Sequence, residues 1–341
     1  MSSNPTVLIL LDSQPQFIEQ VRAAGADEIL LGPSTEAAGI AVDPKLLNAA
    51  ECLLCELLPS NFAECKNLKW MQLTSAGYSQ IFGHSLVERG IRVTNGLGNF
   101  DIPMAEWNVM MTILWHRHLL EMLDNQKKAD FDRAARFQSE LRGSVVGFYG
   151  YGGMARETAR LLRHMGLEVW ALTRDGKIKS RSLTYCVPGT GDPEGKLPHR
   201  VFSPEQKQEF LSGLDYLIMA MPITNTTTGI IGETELKMLK SSAVLLNPAR
   251  AGLIEEQALI RCMSEQWIRG AAIDVHYAYP LPPEHPLWSL PNVVLTPHIS
   301  GSSLSPHFQE RIFDIFSSNL KRYCAGEPLL NELSIEQIQG K

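Results

Sequence analysis

A glycine-rich turn lies between an apolar strand and an amphipathic helix near the middle of the chain. The stretch reads VVGFYGYGGMARETARLL and places Gly150, Gly152 and Ala155 in a GxGxxA pattern. The first glycine permits a tight turn, the second lets the backbone approach a pyrophosphate, and the small third residue lets helix and strand pack closely. Amides at the start of the helix would face the phosphates. The pattern predicts a dinucleotide-binding loop, whose other residues are Tyr151, Gly153 and Met154.

Apolar runs of strand length alternate with helical segments on both sides of this turn. The runs before it are TVLILLD, AECLLCEL, LKWMQLT and GIRVTNG, and those from the turn onwards are VVGFYG, EVWALT, LDYLIMAMP, AVLLNPA, GAAIDV and NVVLTPH. Strands separated by helices indicate parallel pairing. The expected fold class is therefore α/β, with two Rossmann-like domains built on doubly wound parallel sheets. The second sheet should hold the six strands of the second series.

The length of 341 residues suggests more than one domain. We expect residues 1–103 and 299–341 to form a substrate domain, with a dinucleotide-binding domain, 104–298, inserted into it and a cleft that closes over substrate. From Pro103 the helical spacing predicts one long helix through PMAEWNVMMTILWHRHLLEMLDNQKK. The stretch CVPGTGDPEGKLPHRVF is dense in Pro and Gly and is predicted as loop. A later helix should end near Gly326, and the residues after it should return to the first domain.

Charge and composition limit the classes of molecule that the protein is expected to bind. The net charge is −6 and no dense basic run occurs, so a small molecule is a better candidate than nucleic acid. No apolar run could span a bilayer and the first residues lack signal-peptide features, so a cytoplasmic location is expected. Cys52 and Cys55 have no second pair at zinc spacing and are predicted to lie in a buried strand at a sheet edge. His116 and His118 would point to different faces of a helix, so no metal site is predicted.

The residues after the second strand of the dinucleotide series bear on the choice of cofactor. Thr173 and Arg174 occupy the strand end, where a carboxylate would bind a free ribose 2′-hydroxyl, and Asp175 comes too late. An arginine beside a hydroxyl suits a 2′-phosphate. The alternative is an exposed turn arginine without a ligand. NADP(H) is thus favoured, with NAD(H) possible.

Two further side chains follow strands of the same sheet, at the edge where such folds bind ligands. Arg250, in LLNPARAG, could bind a carboxylate through two parallel hydrogen bonds and polarise the adjacent carbonyl. His298, in VVLTPHISG, could exchange a proton near neutral pH. Taken singly, each could be structural. Together they supply the cation and the proton donor that hydride transfer to a 2-keto acid requires.

Nearly end to end, the chain resembles the D-isomer-specific 2-hydroxyacid dehydrogenases, which include glyoxylate/hydroxypyruvate reductases and phosphoglycerate dehydrogenase. LKWMQLTSAGYSQI, GIRVTNGLGNFDIPMAEW, MAMPITNTTTGIIGETELKMLK, LLNPARAGLIEEQAL and HPLWSLPNVVLTPHISG carry the likeness with the glycine motif. The resemblance implies that Arg250 binds the substrate carboxylate, that His298 is the general acid/base and that the enzyme is a homodimer through the inserted domain. It also implies substrate-binding backbone donors at Ser75, Ala76 and Gly77. The cofactor contacts that it implies are Pro222, Thr227, Asn247 and Asp274, the last at the nicotinamide amide.

One position departs from the family pattern. The family has a glutamate before the proline of EPLP that hydrogen-bonds the catalytic histidine, whereas the matching stretch here is YAYPLP, with Tyr279 at that place. A phenol can form a hydrogen bond but lacks the charge that would raise the pKa of His298. Three interpretations stay open: an NADP-preferring 2-keto acid reductase, a dinucleotide-binding regulatory or interaction protein with impaired catalysis, and a family member with altered substrate chemistry.

Overall fold

The computed structural model describes residues 4–340, and the chain divides into two compact units. Unit 1 comprises Met1–Phe100, Ser182–Val187 and Ser303–Lys341, and unit 2 comprises Asp101–Arg181 and Pro188–Ser302. The short segment 182–187 belongs to unit 1, although it lies inside the stretch predicted for the dinucleotide domain. These units are defined by packing, so the assignment of substrate and cofactor domains stays a proposal.

Unit 1 is built on a five-stranded parallel sheet in the order β2-β1-β3-β4-β5. The α/β prediction is confirmed here. The strand holding Cys52 and Cys55 is fully buried and pairs with neighbours on both sides, so its prediction as an edge strand was wrong. The elements of this unit before the chain enters unit 2 are β1 Thr6–Ile9, α1 Pro15–Ala23, β2 Glu28–Leu31, α2 Pro44–Ala49, β3 Cys52–Cys55, β4 Trp70–Leu73 and β5 Arg92–Thr94.

Unit 2 is built on a seven-stranded parallel sheet in the order β12-β11-β10-β9-β6-β7-β8. Because β6 pairs with β7 on one side and with β9 on the other, the order of the strands reverses at β6, and in doubly wound sheets such a reversal is where ligands bind. The elements are α3 Asp101–His116, α4 Leu119–Lys127, β6 Val145–Tyr149, α5 Gly153–His164, β7 Glu168–Leu172, β8 Arg200–Phe202, α6 Lys207–Ser212, β9 Tyr216–Met219, α7 Glu233–Met238, β10 Val244–Asn247, α8 Glu256–Ser264, β11 Gly270–Ile273 and β12 Val293–Leu295.

Two local predictions for unit 2 were wrong. The long helix is broken into α3 and α4, because His118 adopts a left-handed conformation with φ of 51°. The segment predicted as loop up to residue 202 ends in β8, which pairs with β7 and makes the sheet seven-stranded instead of six-stranded. Phe202 is buried in β8 and packs at 5.0 Å, between ring centroids, from Trp170. Burial of this aromatic ring compensates for the shortness of the strand.

The last elements return to unit 1. Helix α9, Pro306–Cys324, is capped by Ser305 and followed by Gly326 and by α10, Ile335–Ile338. Phe313 of α9 stacks on Phe17 at 4.8 Å, and the Leu333 amide donates a hydrogen bond to the Val93 carbonyl. The C-terminal residues thus pack on the first sheet, as predicted.

Candidate functional site

The glycine turn joins β6 to α5 and leaves room beside the start of the helix. Gly150 has φ of +91°, and a Cβ there would lie 2.6 Å from the Ala220 carbonyl oxygen, so only glycine fits. At Gly152 a Cβ would meet no atom within 4 Å, and Gly152, as the N-cap residue of α5, has no side chain that could cap the first turn. Amides at a helix N-terminus beside open space suit an anion such as a pyrophosphate.

The side chains of this loop pack away from that space. The Tyr151 hydroxyl donates a hydrogen bond to the Asp192 carboxylate at 2.9 Å, and Ala155 is fully buried. Met154 accepts a hydrogen bond from the Asn108 amide of α3. At Gly153 a Cβ would clash with the Asp101 carboxylate, which explains the third glycine of the run. The loop therefore offers its backbone to a ligand, not its side chains.

The end of β7 carries a cationic turn. Arg174 is exposed, and the half-buried Thr173 donates its hydroxyl hydrogen to the Lys177 carbonyl at 3.0 Å. The Asp175 carboxylate accepts a hydrogen bond from the Lys177 amide, so it closes the turn. The residues thus stand at the strand end as predicted from the sequence, with an exposed guanidinium and no strand-end carboxylate.

The loop after β9 is closed by its own threonines. Thr227 donates its hydroxyl hydrogen to the Pro222 carbonyl at 2.8 Å and accepts one from the Thr224 amide at 2.7 Å. Pro222 is exposed and Thr227 is partly exposed. This accessible loop lies at the same carboxyl-terminal end of the sheet as the glycine turn, because β9 pairs in parallel with β6.

Arg250 follows β10 and is held at its base by Asn247. The buried Asn247 side chain donates to the Arg250 carbonyl at 3.0 Å and accepts from the Ala249 amide at 3.1 Å. The exposed Arg250 guanidinium donates one hydrogen bond, to the Ala249 carbonyl, and no ion pair joins it to a carboxylate of residues 4–340. Asn247 thus positions the turn, and Arg250 presents most of its donors to solvent.

Asp274 follows β11 and organises the loop after β12. Its carboxylate is fully buried and accepts hydrogen bonds from the Thr296 hydroxyl, the Ile299 amide at 3.0 Å and the Ser300 amide at 2.9 Å. The Thr296 hydroxyl also accepts a hydrogen bond from the Trp107 indole of α3 at 3.1 Å. Asp274 is therefore committed to fixing the loop that carries His298.

His298 lies exposed in that loop, with a left-handed φ of 57°. Desolvation by the surrounding atoms is the main cause that lowers the pKa of His298 below its usual value. The Asp274 carboxylate opposes this effect, while the charges of Arg250 and His276 add to it. The imidazole therefore loses its proton more readily than an ordinary histidine.

Tyr279 lies beside His298 through its ring. The two ring centroids are 5.4 Å apart, and Tyr279 is 60% exposed. Its hydroxyl accepts a hydrogen bond from the His276 amide at 3.1 Å. The phenol oxygen thus accepts from the backbone of His276, and its neighbour His298 meets the aromatic ring.

The loop after β4, in unit 1, presents Ser75, Ala76 and Gly77. All three are partly exposed. The Ser75 hydroxyl donates to the Gly77 carbonyl at 2.8 Å, and the Asn95 amide donates to the Ala76 carbonyl at 2.8 Å. These contacts fix the loop through its carbonyl groups.

The family model for the NAD binding domain of D-isomer specific 2-hydroxyacid dehydrogenases matches residues 109–300. The chain belongs to the D-isomer specific 2-hydroxyacid dehydrogenase family. Glyoxylate reductase of Thermofilum pendens is 28% identical over 285 residues, covering 82% of this chain and 79% of that protein. D-3-phosphoglycerate dehydrogenase of Archaeoglobus fulgidus is 26% identical, covering 80% of this chain and 49% of that protein.

Solved structures of similar fold include a D-isomer specific 2-hydroxyacid dehydrogenase family protein from Aeromonas salmonicida, with a TM-score of 0.76, 24% identity and coverage of 97% of this chain and 99% of that one. Another is the NADPH-dependent glyoxylate/hydroxypyruvate reductase of Sinorhizobium meliloti in complex with NADP and sulfate, with a TM-score of 0.73, 22% identity and coverage of 99% and 100%. These likenesses confirm the predicted α/β fold.

As a 2-hydroxyacid dehydrogenase, the protein is an oxidoreductase that uses a nicotinamide dinucleotide. The open backbone at Gly152, at the N-terminus of α5, fits the pyrophosphate of such a cofactor. No group of three or more His, Cys, Asp or Glu side chains within residues 4–340 could hold a metal ion. Nor does any helix in that range have the length and apolar character to cross a membrane.

Sequence reasoning missed two residues of this dehydrogenase. His276 is buried, and its Nε2 donates a hydrogen bond to the Thr296 carbonyl at 2.9 Å. Trp107 reaches the Thr296 hydroxyl from α3. A histidine two residues after Asp274 could have been noticed, because alternate residues of an extended segment share a side. Nothing local marks Trp107, since its contact depends on how α3 packs.

Proposed function

We propose that the enzyme reduces a small 2-keto acid to a 2-hydroxy acid with NADPH as the preferred cofactor. The observation that carries this proposal is the exposed guanidinium of Arg250 after β10 and the exposed imidazole of His298 after β12, at the sheet edge that also holds the glycine turn. The order β12-β11-β10 separates these residues by one strand only. The lowering of the His298 pKa by Arg250 is consistent with that proximity.

The proposed roles follow from the chemistry of each group. Arg250 binds the substrate carboxylate through parallel hydrogen bonds and polarises the neighbouring carbonyl. His298, in its protonated form, donates a proton to the carbonyl oxygen, which becomes the hydroxyl of the product. The bound dinucleotide supplies the hydride to the carbonyl carbon. Amides of Ser75, Ala76 and Gly77 add donors to the substrate, and Asp274 holds the His298 loop in register while facing the nicotinamide end of the cofactor.

The preference for NADPH over NADH rests on the β7 turn. Arg174 is free to bind a 2′-phosphate by charge-assisted hydrogen bonds, and Thr173 retains acceptor lone pairs after donating to Lys177. No carboxylate stands at the strand end to bind a free 2′-hydroxyl. Gly150, Tyr151, Gly152, Gly153, Met154 and Ala155 would hold the pyrophosphate through their backbone, and the loop of Pro222 and Thr227 and the turn of Asn247 would border the cofactor.

A second candidate is a dinucleotide-binding protein with impaired catalysis that acts through regulation or partner contacts. The observation that favours it is Tyr279, because the His298 ring contacts a phenol and donates no hydrogen bond to a carboxylate of residues 4–340. A family member with altered substrate chemistry would show the same feature.

The decisive experiment is NADPH oxidation with a panel of 2-keto acids, measured in parallel with NADPH binding. Glyoxylate, hydroxypyruvate and larger apolar 2-keto acids form the panel, with His298→Gln as the matched inactive control. Turnover with any one acid that disappears in His298→Gln supports the reductase. Tight NADPH binding with no turnover on any acid would refute the reductase proposal and support the second candidate.

A homodimer through unit 2 completes the proposal. Exposed apolar side chains occur on or after α3 and α4, namely Met110, Ile113, Leu119, Leu123 and the 89% exposed Phe131. Apolar groups concentrated on one pair of helices are typical of an interface. Light scattering should show a dimer that Ile113→Asp and Leu123→Asp together dissociate. Leu31→Asp, which changes an exposed leucine of unit 1, is the control and should leave the dimer intact.

A further inference from the structure

Thr296 is the residue on which the His298 loop depends. Its carbonyl accepts two hydrogen bonds, from the His298 amide at 2.9 Å and from His276 Nε2 at 2.9 Å. Its hydroxyl donates to Asp274 and accepts from Trp107. The hydrogen bond from the His298 amide to the Thr296 carbonyl joins residues only two apart in the chain, so it closes a tight turn. It cannot by itself fix the orientation of that turn relative to the rest of unit 2. The bond from His276 comes from another segment and supplies that external constraint.

The contact with Thr296 defines which ring nitrogen of His276 donates. A carbonyl oxygen can only accept, so Nε2 must carry a hydrogen. Nδ1 is buried and has no hydrogen-bond partner within residues 4–340. His276 also donates its backbone amide to the Tyr279 hydroxyl, and the His276 and Tyr279 ring centroids are 6.0 Å apart. His276 therefore contacts both structures that border His298.

We propose that His276 is a positioning residue for His298, holding the Thr296 carbonyl by its Nε2–H and the Tyr279 phenol by its backbone amide. This inference rests on the proposed function, in which His298 transfers the proton. The left-handed backbone of His298 is costly for a residue with a side chain and persists only where the surroundings enforce it. The two contacts of His276 add to those of Asp274 in enforcing it.

Two substitutions separate the hydrogen bond of His276 from its bulk. His276→Phe keeps a buried ring and loses the donor to Thr296. His276→Gln has a side-chain amide that can reach the position of Nε2 and restore the donor without a titratable ring. We expect His276→Phe to lower kcat on the order of 10-fold to 100-fold, because a small misplacement of the proton donor is expensive in rate. The Kd for NADPH should not change, and His276→Gln should recover most of the lost kcat.

Nuclear magnetic resonance on protein with ¹⁵N-labelled histidine gives a readout that does not depend on turnover. In the parent, Nε2 of His276 should have the chemical shift of a nitrogen that carries a hydrogen. The His298 ring signal, assigned by its loss in His298→Gln, should move in His276→Phe and stay near its parental position in His276→Gln. This signature distinguishes positioning from a general loss of stability.

Several outcomes would overturn the inference. A parental kcat in His276→Phe, an equal loss in both variants, or an Nε2 without a hydrogen in the parent would each refute it. If His276→Phe does not fold, the kcat of His276→Gln and the ¹⁵N chemical shift of His276 in the parent still test the inference. If His298→Gln keeps full turnover, the proposed role of His298 fails, whereas the effect of His276 on the His298 ring signal is still measured independently.

Discussion

The phenol ring of Tyr279 lies 5.4 Å from the imidazole of His298, with the two ring planes inclined at 45°. The phenol oxygen accepts a hydrogen bond from the His276 amide, and His298 receives from this neighbour a ring contact in place of a carboxylate charge. A neutral neighbour provides no Coulombic support for the imidazolium. The proton affinity of His298 is therefore set by desolvation, Asp274, Arg250 and His276.

Introducing a carboxylate at this position should change the pH dependence of reduction. His298 must be protonated to donate, so the rate should fall as pH rises through its pKa, which lies below the usual histidine value. Tyr279→Glu places a negative charge near the ring, raises that pKa and should move the alkaline limb of kcat to higher pH. Tyr279→Phe is the control, because it keeps the ring and adds no charge. Profiles of kcat against pH that coincide for parent and Tyr279→Glu would show that the new carboxylate does not reach His298.

Asp274→Asn should disturb the His298 loop and lower the free energy of unfolding. The carboxylate accepts from two backbone amides and one hydroxyl. An asparagine would turn an NH₂ group toward at least one of these donors, leaving buried groups unpaired at a cost of about 1–3 kcal/mol. Urea unfolding measures the change. Asp175→Asn, at an exposed acid, should stay within about 0.5 kcal/mol of the parent. Equal stability of parent and Asp274→Asn would mean that the loop is held by other contacts.

Gly150→Ala and Gly152→Ala form a matched pair that separates folding from cofactor binding. At Gly150, φ of +91° and the nearby Ala220 carbonyl should make alanine destabilising by about 1–3 kcal/mol. At Gly152 the methyl group enters open space, so stability should change little. The same methyl would occupy the place of the pyrophosphate and weaken NADPH binding. Thermal unfolding and NADPH fluorescence titration measure both effects. Parental affinity in Gly152→Ala would argue against phosphate binding there.

Arg174→Ala should reduce the affinity for NADPH and leave that for NADH nearly unchanged. The loss of one charge-assisted bond to the 2′-phosphate corresponds to about 1–3 kcal/mol, or roughly 5-fold to 150-fold in Kd. Arg133→Ala, at another exposed arginine of unit 2, is the control for general charge effects. Calorimetric titration with both cofactors provides the measurement. A parent that binds NADH and NADPH equally well would contradict the assignment of Arg174.

Arg250→Lys should lower turnover while NADPH still binds. Lysine keeps the positive charge but loses the planar pair of N–H groups that grips a carboxylate. The Asn247 bonds to the Ala249 amide and the Arg250 carbonyl do not involve the guanidinium, so the turn should stay folded. Steady-state kinetics should show a lower kcat/KM for the keto acid. Unchanged kinetics in Arg250→Lys would indicate that the guanidinium does not bind the substrate.

The fold was predictable where local pattern and tertiary packing agree. The β6–turn–α5 segment is an example, because Gly150 is required by its own backbone angle. The break between α3 and α4 at His118 was not predictable, because apolar helical spacing continues on both sides of a single left-handed residue. Strand β8 was missed because its three residues follow a Pro- and Gly-rich segment and form a strand only by pairing with β7.

The candidate site shows the same division. Positions such as Arg250, Asp274 and His298 could be chosen from sequence, because parallel strands bring their following residues to one edge of a sheet. The hydrogen-bond partners of these side chains could not be predicted, because bonds such as that from His276 to Thr296 join segments that only folding brings together. Whether Tyr279 meets His298 by a hydrogen bond or by its ring was likewise a matter of tertiary geometry.

Helix α3 contacts the His298 loop and helix α5 through consecutive residues. Trp107 donates to Thr296 in the His298 loop, and Asn108 donates to Thr158 of α5 at 3.1 Å, one turn beyond the glycine run. The backbone of an α-helix is stiff over so short a distance. A tilt or shift of α3 would displace the loop of His298 and the start of α5 together. Evolution or design could therefore move these two elements as a pair by changing the packing beneath one helix, with their mutual spacing retained.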